Sequence, residues 1–193
     1  MRLIITRHGL TEENLAGIIQ GHLPGKLAEE GIIQAQKLAL RLKDEKIDFI
    51  YSSDLARAAD TVKEIAKYHP GTPLIFTEEL RERNLGEFQG QKKYQHGITT
   101  KSTTAQLEPI HGESVKQLII RGEKFYQKIL TEHPSDCVLL VGHNGINRAI
   151  ISSITGQDFY GFELQHNTGV SIFEIKGDGH YEIEILNSAH HLD

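Results

Sequence analysis

Short apolar runs alternate along this chain with stretches whose apolar residues recur at helical spacing. That alternation predicts an α/β fold: a three-layer sandwich with a mostly parallel central sheet flanked by helices. Leu3-Ile4-Ile5, Phe49-Ile50-Tyr51, Leu74-Ile75-Phe76 and Val138-Leu139-Leu140-Val141 read as strands. Ile32, Ile33, Ala35, Leu38, Ala39 and Leu42 predict one helical face, and Leu55, Ala58, Ala59, Val62, Ile65 and Ala66 a second. Ser53 or Asp54 is the expected N-cap of that second helix. Val115, Leu118, Ile119, Phe125, Ile129 and Leu130 predict a long helix begun through Gly112-Glu113-Ser114. A shorter helix follows His143, with Ile146, Ala149, Ile150 and Ile154 turned inward. Val170 to Ile175 and Tyr181 to Ile185 predict a closing hairpin around Gly177-Asp178-Gly179.

The stretch from His96 to Gly112 breaks this rhythm, being rich in Thr, Ser and Gly and poor in apolar groups. It reads as an excursion, a lid over the sheet end spanning about residues 85–111 of a single domain, 1–193. The length of 193 residues is enough to bury a substantial core. A formal net charge of -5 argues against a general nucleic-acid binder. No run approaches a membrane span, and no signal peptide opens the chain. The single cysteine, Cys137, sits at the start of an apolar run and reads as a buried structural thiol. A cytoplasmic protein is the expectation.

Three of the apolar runs end in groups that carry chemistry. Leu3-Ile4-Ile5 leads to Arg7-His8-Gly9, Phe49-Ile50-Tyr51 to Ser52-Ser53-Asp54 and then Arg57, and Val138 to Val141 to Gly142-His143-Asn144-Gly145. Ligands of open α/β sheets bind beyond the carboxyl ends of the strands. Two arginines and two histidines gathered there suit a phosphate monoester, because planar guanidinium groups offer paired donors to its oxygens. No clustered carboxylate motif for magnesium is present, so neither a metal nor another cofactor is expected.

In such a site His8 is the natural nucleophile, since a neutral imidazole can attack phosphorus and form a phosphohistidine. Neighbouring arginines disfavour its charged form and a bound phosphate favours it. The Gly9 carbonyl is placed to hold its other ring nitrogen. His143 is a donor to the equatorial oxygens of the transition state. The leaving alkoxide needs a proton, and a carboxyl beside a phosphate is a good source. Glu82, in Leu80-Arg81-Glu82-Arg83-Asn84, follows the run Leu74-Ile75-Phe76 and could reach the same face.

The chain resembles the histidine phosphatase superfamily, the phosphoglycerate-mutase-like group, over nearly its whole length. The segments that carry the resemblance are Arg7 to Asn14, Ile19-Gln20-Gly21, Leu27 to Gly31, Ser52 to Ala58, Leu80-Arg81-Glu82, Gly112-Glu113-Ser114 and Gly142 to Gly145. The resemblance implies a phosphorylated His8, phosphate held by Arg7, Asn14 and Arg57, and substrate contacts from Gln20 and Gly21. Arg83 is similar to an arginine that reaches a second anionic group in mutases and sugar-bisphosphate phosphatases. Asn144 stands where glycine is common and bears on contacts near His143. Leu10 replaces a common glutamate, and Ala28 a threonine cap whose loss costs about 1 kcal/mol.

The phosphatase branch fits best, because the mutases resemble longer chains with a larger insertion and a shielding tail. The expected activity is hydrolysis of a small phosphorylated metabolite. The alternatives are a cofactor-dependent phosphoglycerate mutase and a non-catalytic protein that binds phosphorylated ligands or partners. Most of the 11 histidines have plainer readings. His22, His69, His133 and His180 are expected to be solvated, His96 and His111 flank the excursion, and His190 and His191 belong to a frayed tail. Lys92-Lys93-Tyr94 reads first as a solvated helix face, with attraction of a distal anionic group as the alternative.

Overall fold

Strands β1 (Arg2–Arg7), β2 (Phe49–Ser53), β3 (Leu74–Thr77), β4 (Cys137–Gly142), β5 (Val170–Ile175) and β6 (Tyr181–Ser188) form one sheet in the order β3-β2-β4-β1-β5-β6. The computed structural model describes residues 1–98, 104–177 and 179–193. β1, β2, β3 and β4 run parallel to their neighbours, while β5 is antiparallel to β1 and β6 to β5. β1 and β4 are central, which is why Leu3-Ile4-Ile5 and Val138 to Val141 are apolar without alternation: both faces are covered. The predicted closing hairpin is present, and its turn residue Asp178 lies outside the described residues.

Helices α1 (Glu12–Leu15), α2 (Glu29–Leu42), α3 (Ala56–Ala66), α4 (Val115–Glu132) and α5 (Asn144–Thr155) complete the fold. α2 and α3 cover one face through Leu38, Ala39, Leu42, Ala58, Val62 and Ile65. α4 and α5 cover the other through Leu118, Phe125, Ile129, Ile146, Ala149 and Ile150. The expected three layers are therefore in place. Ile32 and Ile33 are exposed, however. The buried stripe of α2 is Gly31, Ala35, Leu38, Ala39 and Leu42, and Ile32 and Ile33 lie off it.

Helix starts differ in detail from expectation. Ser114 caps α4, with Gln117 answering it in a capping box. Ala28 stands at the N-cap of α2 without a side-chain bond. Leu55, rather than Ser53 or Asp54, is the N-cap of α3, because Asp54 pairs with Arg81 and Ser53 Oγ is shared with His143.

Two of the histidines expected in solvent, His69 and His133, are buried. His69 bonds the Leu42 carbonyl at 3.1 Å, and His133 lies between the Tyr51 hydroxyl and Asp136. Both sit just past helix ends, where free carbonyls and hydroxyls offer partners. The tail is docked rather than frayed: His191 bonds Thr168 at 3.2 Å and Lys37 donates to the Leu192 carbonyl. Cys137 is buried, as expected, and burial pushes its thiol up to about 11. Within the expected excursion, residues 99–103 lie outside the described residues, and Leu85, Ile98 and Leu107 form a small apolar cluster with Ile19. No described helix is long and apolar enough to cross a membrane.

Candidate active site

The parallel pairing of β1 with β4 sets Arg7 beside Gly142, so the next residue of each strand, His8 and His143, leaves the sheet at the same edge. The ladder continues one step further, with the His8 amide donating to the Gly142 carbonyl at 3.1 Å. The two imidazole rings lie 5.1 Å apart. Asn167 and Thr168, just before β5, hold the loop from the other side: Asn167 Nδ2 donates to the His8 carbonyl and the Thr168 amide to that of Arg7. Gly9 lies flat against the first turn of α2, where a Cβ would stand 2.5 Å from the Gly31 carbonyl oxygen.

His8 Nδ1 lies 2.7 Å from the Gly9 carbonyl. A carbonyl oxygen only accepts, so Nδ1 carries the proton and Nε2 presents its lone pair. Arg57, in the first turn of α3, shares its Nε–H between His8 Nε2 at 3.3 Å and His143 Nδ1 at 3.2 Å. Its other nitrogens donate to the carbonyls of Leu23, Pro24 and Gly21. His143 Nε2 bonds Ser53 Oγ at 2.8 Å. Burial, then the charges of Arg57 and Arg7, draws His8 well below its ordinary value. The same influences, joined by His8, act on fully buried His143. Burial also pulls the Arg57 guanidinium down to about 10.

A cavity of about 290 Å³ opens over this group, with Arg7, His8, Arg57 and Glu82 among its lining residues. Arg7 donates to the Gln165 carbonyl at 2.6 Å, while its buried Nε has no partner among the described residues. The Glu82 carboxylate accepts from the Gly145 amide at 3.1 Å to each oxygen and from the Arg83 amide at 2.9 Å. It thus sits on the N-terminus of α5, where free amides and the helix dipole favour an anion. Gly145 makes this possible, since a Cβ there would lie 2.3 Å from Glu82 Oε1.

The remaining predicted residues divide. Asn14, Gln20, Gly21 and Asn144 all line the cavity. Gln20 is fixed by Thr11 and leaves its Oε1 without a partner among the described residues. Asn144 Oδ1 accepts from the Gln165 amide, and Asn14 Oδ1 from that of Thr11. Arg83 does not join them. It is not among the residues that line the cavity, and its guanidinium donates to the carbonyls of Glu113, Thr104 and Leu107, which fastens the segments around Glu82. His143 stands behind the lining residues.

Lys93, read from sequence as solvated, lines the cavity, and burial together with nearby Arg7 lowers its pKa. Asn167 and Thr104 line it too and had no sequence signal, because neither sits in a motif or at a strand end. His22, also expected in solvent, donates to the backbone of Glu82.

A profile of the histidine phosphatase superfamily, branch 1, matches residues 3–188. The chain is 35% identical over 199 residues to a metal-independent phosphoserine phosphatase of Arabidopsis thaliana, covering 98% of this chain and 82% of the relative. It is 31% identical over 196 residues to a phosphoglycerate mutase of Schizosaccharomyces pombe, covering 93% and 92%. A crystal structure of phosphoserine phosphatase from Entamoeba histolytica, in complex with 3-phosphoglyceric acid, superposes with a TM-score of 0.84 at 26% identity over 99% of this chain and 98% of that one. The chain belongs to the histidine phosphatase superfamily.

Proposed function

We propose that this protein hydrolyses a small phosphomonoester through a phosphohistidine on His8, without a metal. One observation carries the reading: the Nδ1 bond to Gly9 leaves His8 Nε2 as an acceptor, and His8 lines a cavity together with Arg7, Arg57 and Glu82. Nε2 attacks phosphorus and the P–O bond to the leaving group breaks. Glu82 gives its proton to the departing oxygen. Arg7 and Arg57 stabilise the charge on the equatorial oxygens, and His143 Nδ1 joins them once the phosphate's charge lets it hold a proton. Water then attacks the phosphohistidine, Glu82 takes a proton from it, and phosphate leaves with His8 restored.

Lys93 supports a substrate with a second anionic group, such as a carboxylate, because its ammonium shares the cavity with Arg7. Ile18, Ile19, Leu85, Ile98 and Leu164 supply apolar wall for the carbon skeleton. Leu85, Lys93, Ile98 and Thr104, from the described parts of segment 85–111, line this cavity, which supports reading that segment as its cover within one 1–193 domain. A cytoplasmic setting accords with a chain whose single cysteine is buried.

The test is phosphate release from p-nitrophenyl phosphate and 3-phosphoglycerate in the presence of a chelator. Release should persist, and His8→Ala should abolish it. Full activity in His8→Ala would remove His8 from the mechanism. Isomerisation of 3-phosphoglycerate outrunning phosphate release, followed by phosphorus NMR, would favour a mutase instead.

A further inference from the structure

His22 lies outside the motifs that carry phosphate chemistry, yet its ring reaches the acid. Its Nε2 stands 2.8 Å from the Glu82 carbonyl oxygen, so Nε2 carries the proton and donates it. The preceding residue, Gly21, accepts from Arg57 Nη2 at 2.9 Å. The path from the guanidinium that faces both histidines to the backbone of the acid is therefore two residues long. Gln89 steadies it, its Oε1 accepting from the amides of His22 at 2.7 Å and Leu85 at 3.2 Å. The Glu82 carbonyl has a second lone pair, and Arg121 Nη2 of α4 reaches that oxygen at 3.3 Å. Arg121 also donates to the carbonyls of Glu79 and Arg81. Arg121 thus registers the acid segment against α4, and His22 registers it against the phosphate loop.

We propose that His22 is a positioning residue for Glu82, tying the loop that holds Arg57 to the backbone of the acid. The proposal rests on the phosphatase reading above. Glu82 protonates the leaving oxygen, so its placement matters in proportion to how badly that oxygen needs a proton. Phenolate is a poor leaving group and p-nitrophenolate a good one, while the two esters have nearly the same shape. A displaced acid slows the first ester and spares the second.

The experiment measures kcat/KM for phenyl phosphate and p-nitrophenyl phosphate in the wild type, His22→Ala, His22→Phe and His22→Gln. His22→Phe fills the space of the ring without a donor, which covers the case of an alanine variant that does not fold. His22→Gln restores an N–H at nearly the reach of Nε2. The ratio of phenyl to p-nitrophenyl activity should fall about tenfold in His22→Ala and His22→Phe, a modest part of what a general acid contributes. It should return to within about threefold of wild type in His22→Gln. A parallel fall on both esters, no fall on either, or His22→Gln behaving like His22→Phe overturns the proposal. A wild type that releases phosphate from neither ester overturns the phosphatase reading, and this proposal with it.

Discussion

Replacing Arg57 with methionine keeps the length of the side chain and removes its charge and donors. Three carbonyls lose a partner: those of Leu23, Pro24 and Gly21. Leu23 and Pro24 are exposed and take water in its place, whereas Gly21 is buried. An unsatisfied buried acceptor costs about 1–3 kcal/mol. The cost of holding a guanidinium in the interior vanishes at the same time, so the net loss should be no more than about 1–3 kcal/mol, a fall of about 2–4 °C in Tm per kcal/mol. Catalysis should suffer more. Removing one fixed donor from a transition-state anion costs about a hundredfold to a thousandfold. The pH profile should move as well. Burial first and Arg57 next hold both imidazoles below their ordinary values, so without Arg57 the His8 pKa rises. Less His8 is then neutral in mild acid, and the acid limb of kcat/KM shifts to higher pH. The assay is kcat/KM for p-nitrophenyl phosphate across pH, with a chelator, beside a thermal melt. Activity within about threefold of wild type and an unmoved acid limb would refute the role given to Arg57.

Two further outcomes can be measured. In Gly31→Ala the new Cβ would stand 1.9 Å from the Leu10 carbonyl oxygen; that clash with backbone should outweigh the about 1 kcal/mol alanine gains over glycine in a helix and leave a net loss of about 1–3 kcal/mol in urea unfolding. His8 and His143 are both depressed below the ordinary 6.5, so the unfolded chain binds protons that the folded one refuses. Their contribution to stability is complete above about 6.5 and is lost as pH falls toward the folded-state values; Tm should drop from neutral to mildly acidic pH, and less so in a His8→Gln/His143→Gln double variant, an equal drop in both counting against the assignment.

The convergence of His8, Arg57 and His143 was legible in the sequence because each follows a buried apolar run, and parallel strands in neighbouring positions deliver their ends to one edge. Glu82 was legible for a related reason: it comes shortly after β3. Arg83 was not, since a motif fixes where the backbone goes and not which way an adjacent side chain turns; its donors were claimed by carbonyls of segments 104–107 and 113. Lys93 and His22 erred in the other direction. A polar residue in a loop reads as solvated unless the loop folds back, and here Ile18 bridges to Lys92 and the Ile19 amide bonds the Gln91 carbonyl, which brings both loops over the cavity. Ile32 and Ile33 were misread because five apolar residues in the eight positions 32–39 can be fitted to more than one helical stripe, and the close contact at Gly31 and the packing of Leu38, Ala39 and Leu42 select between them.

The strand order has a consequence for synthesis. β1 is made first, yet its neighbours are β4 and β5, which leave the ribosome more than a hundred residues later. The strand that leads to His8 therefore waits, apolar and unpaired, while most of the polypeptide is translated. Pairings so distant in sequence close slowly and leave aggregation-prone edges open meanwhile. A nascent chain halted before residue 170 has no β5 against β1 and no Asn167–Thr168 clamp completed by its following strand. Closure of the loop that carries His8 therefore waits on translation of residues 167–175.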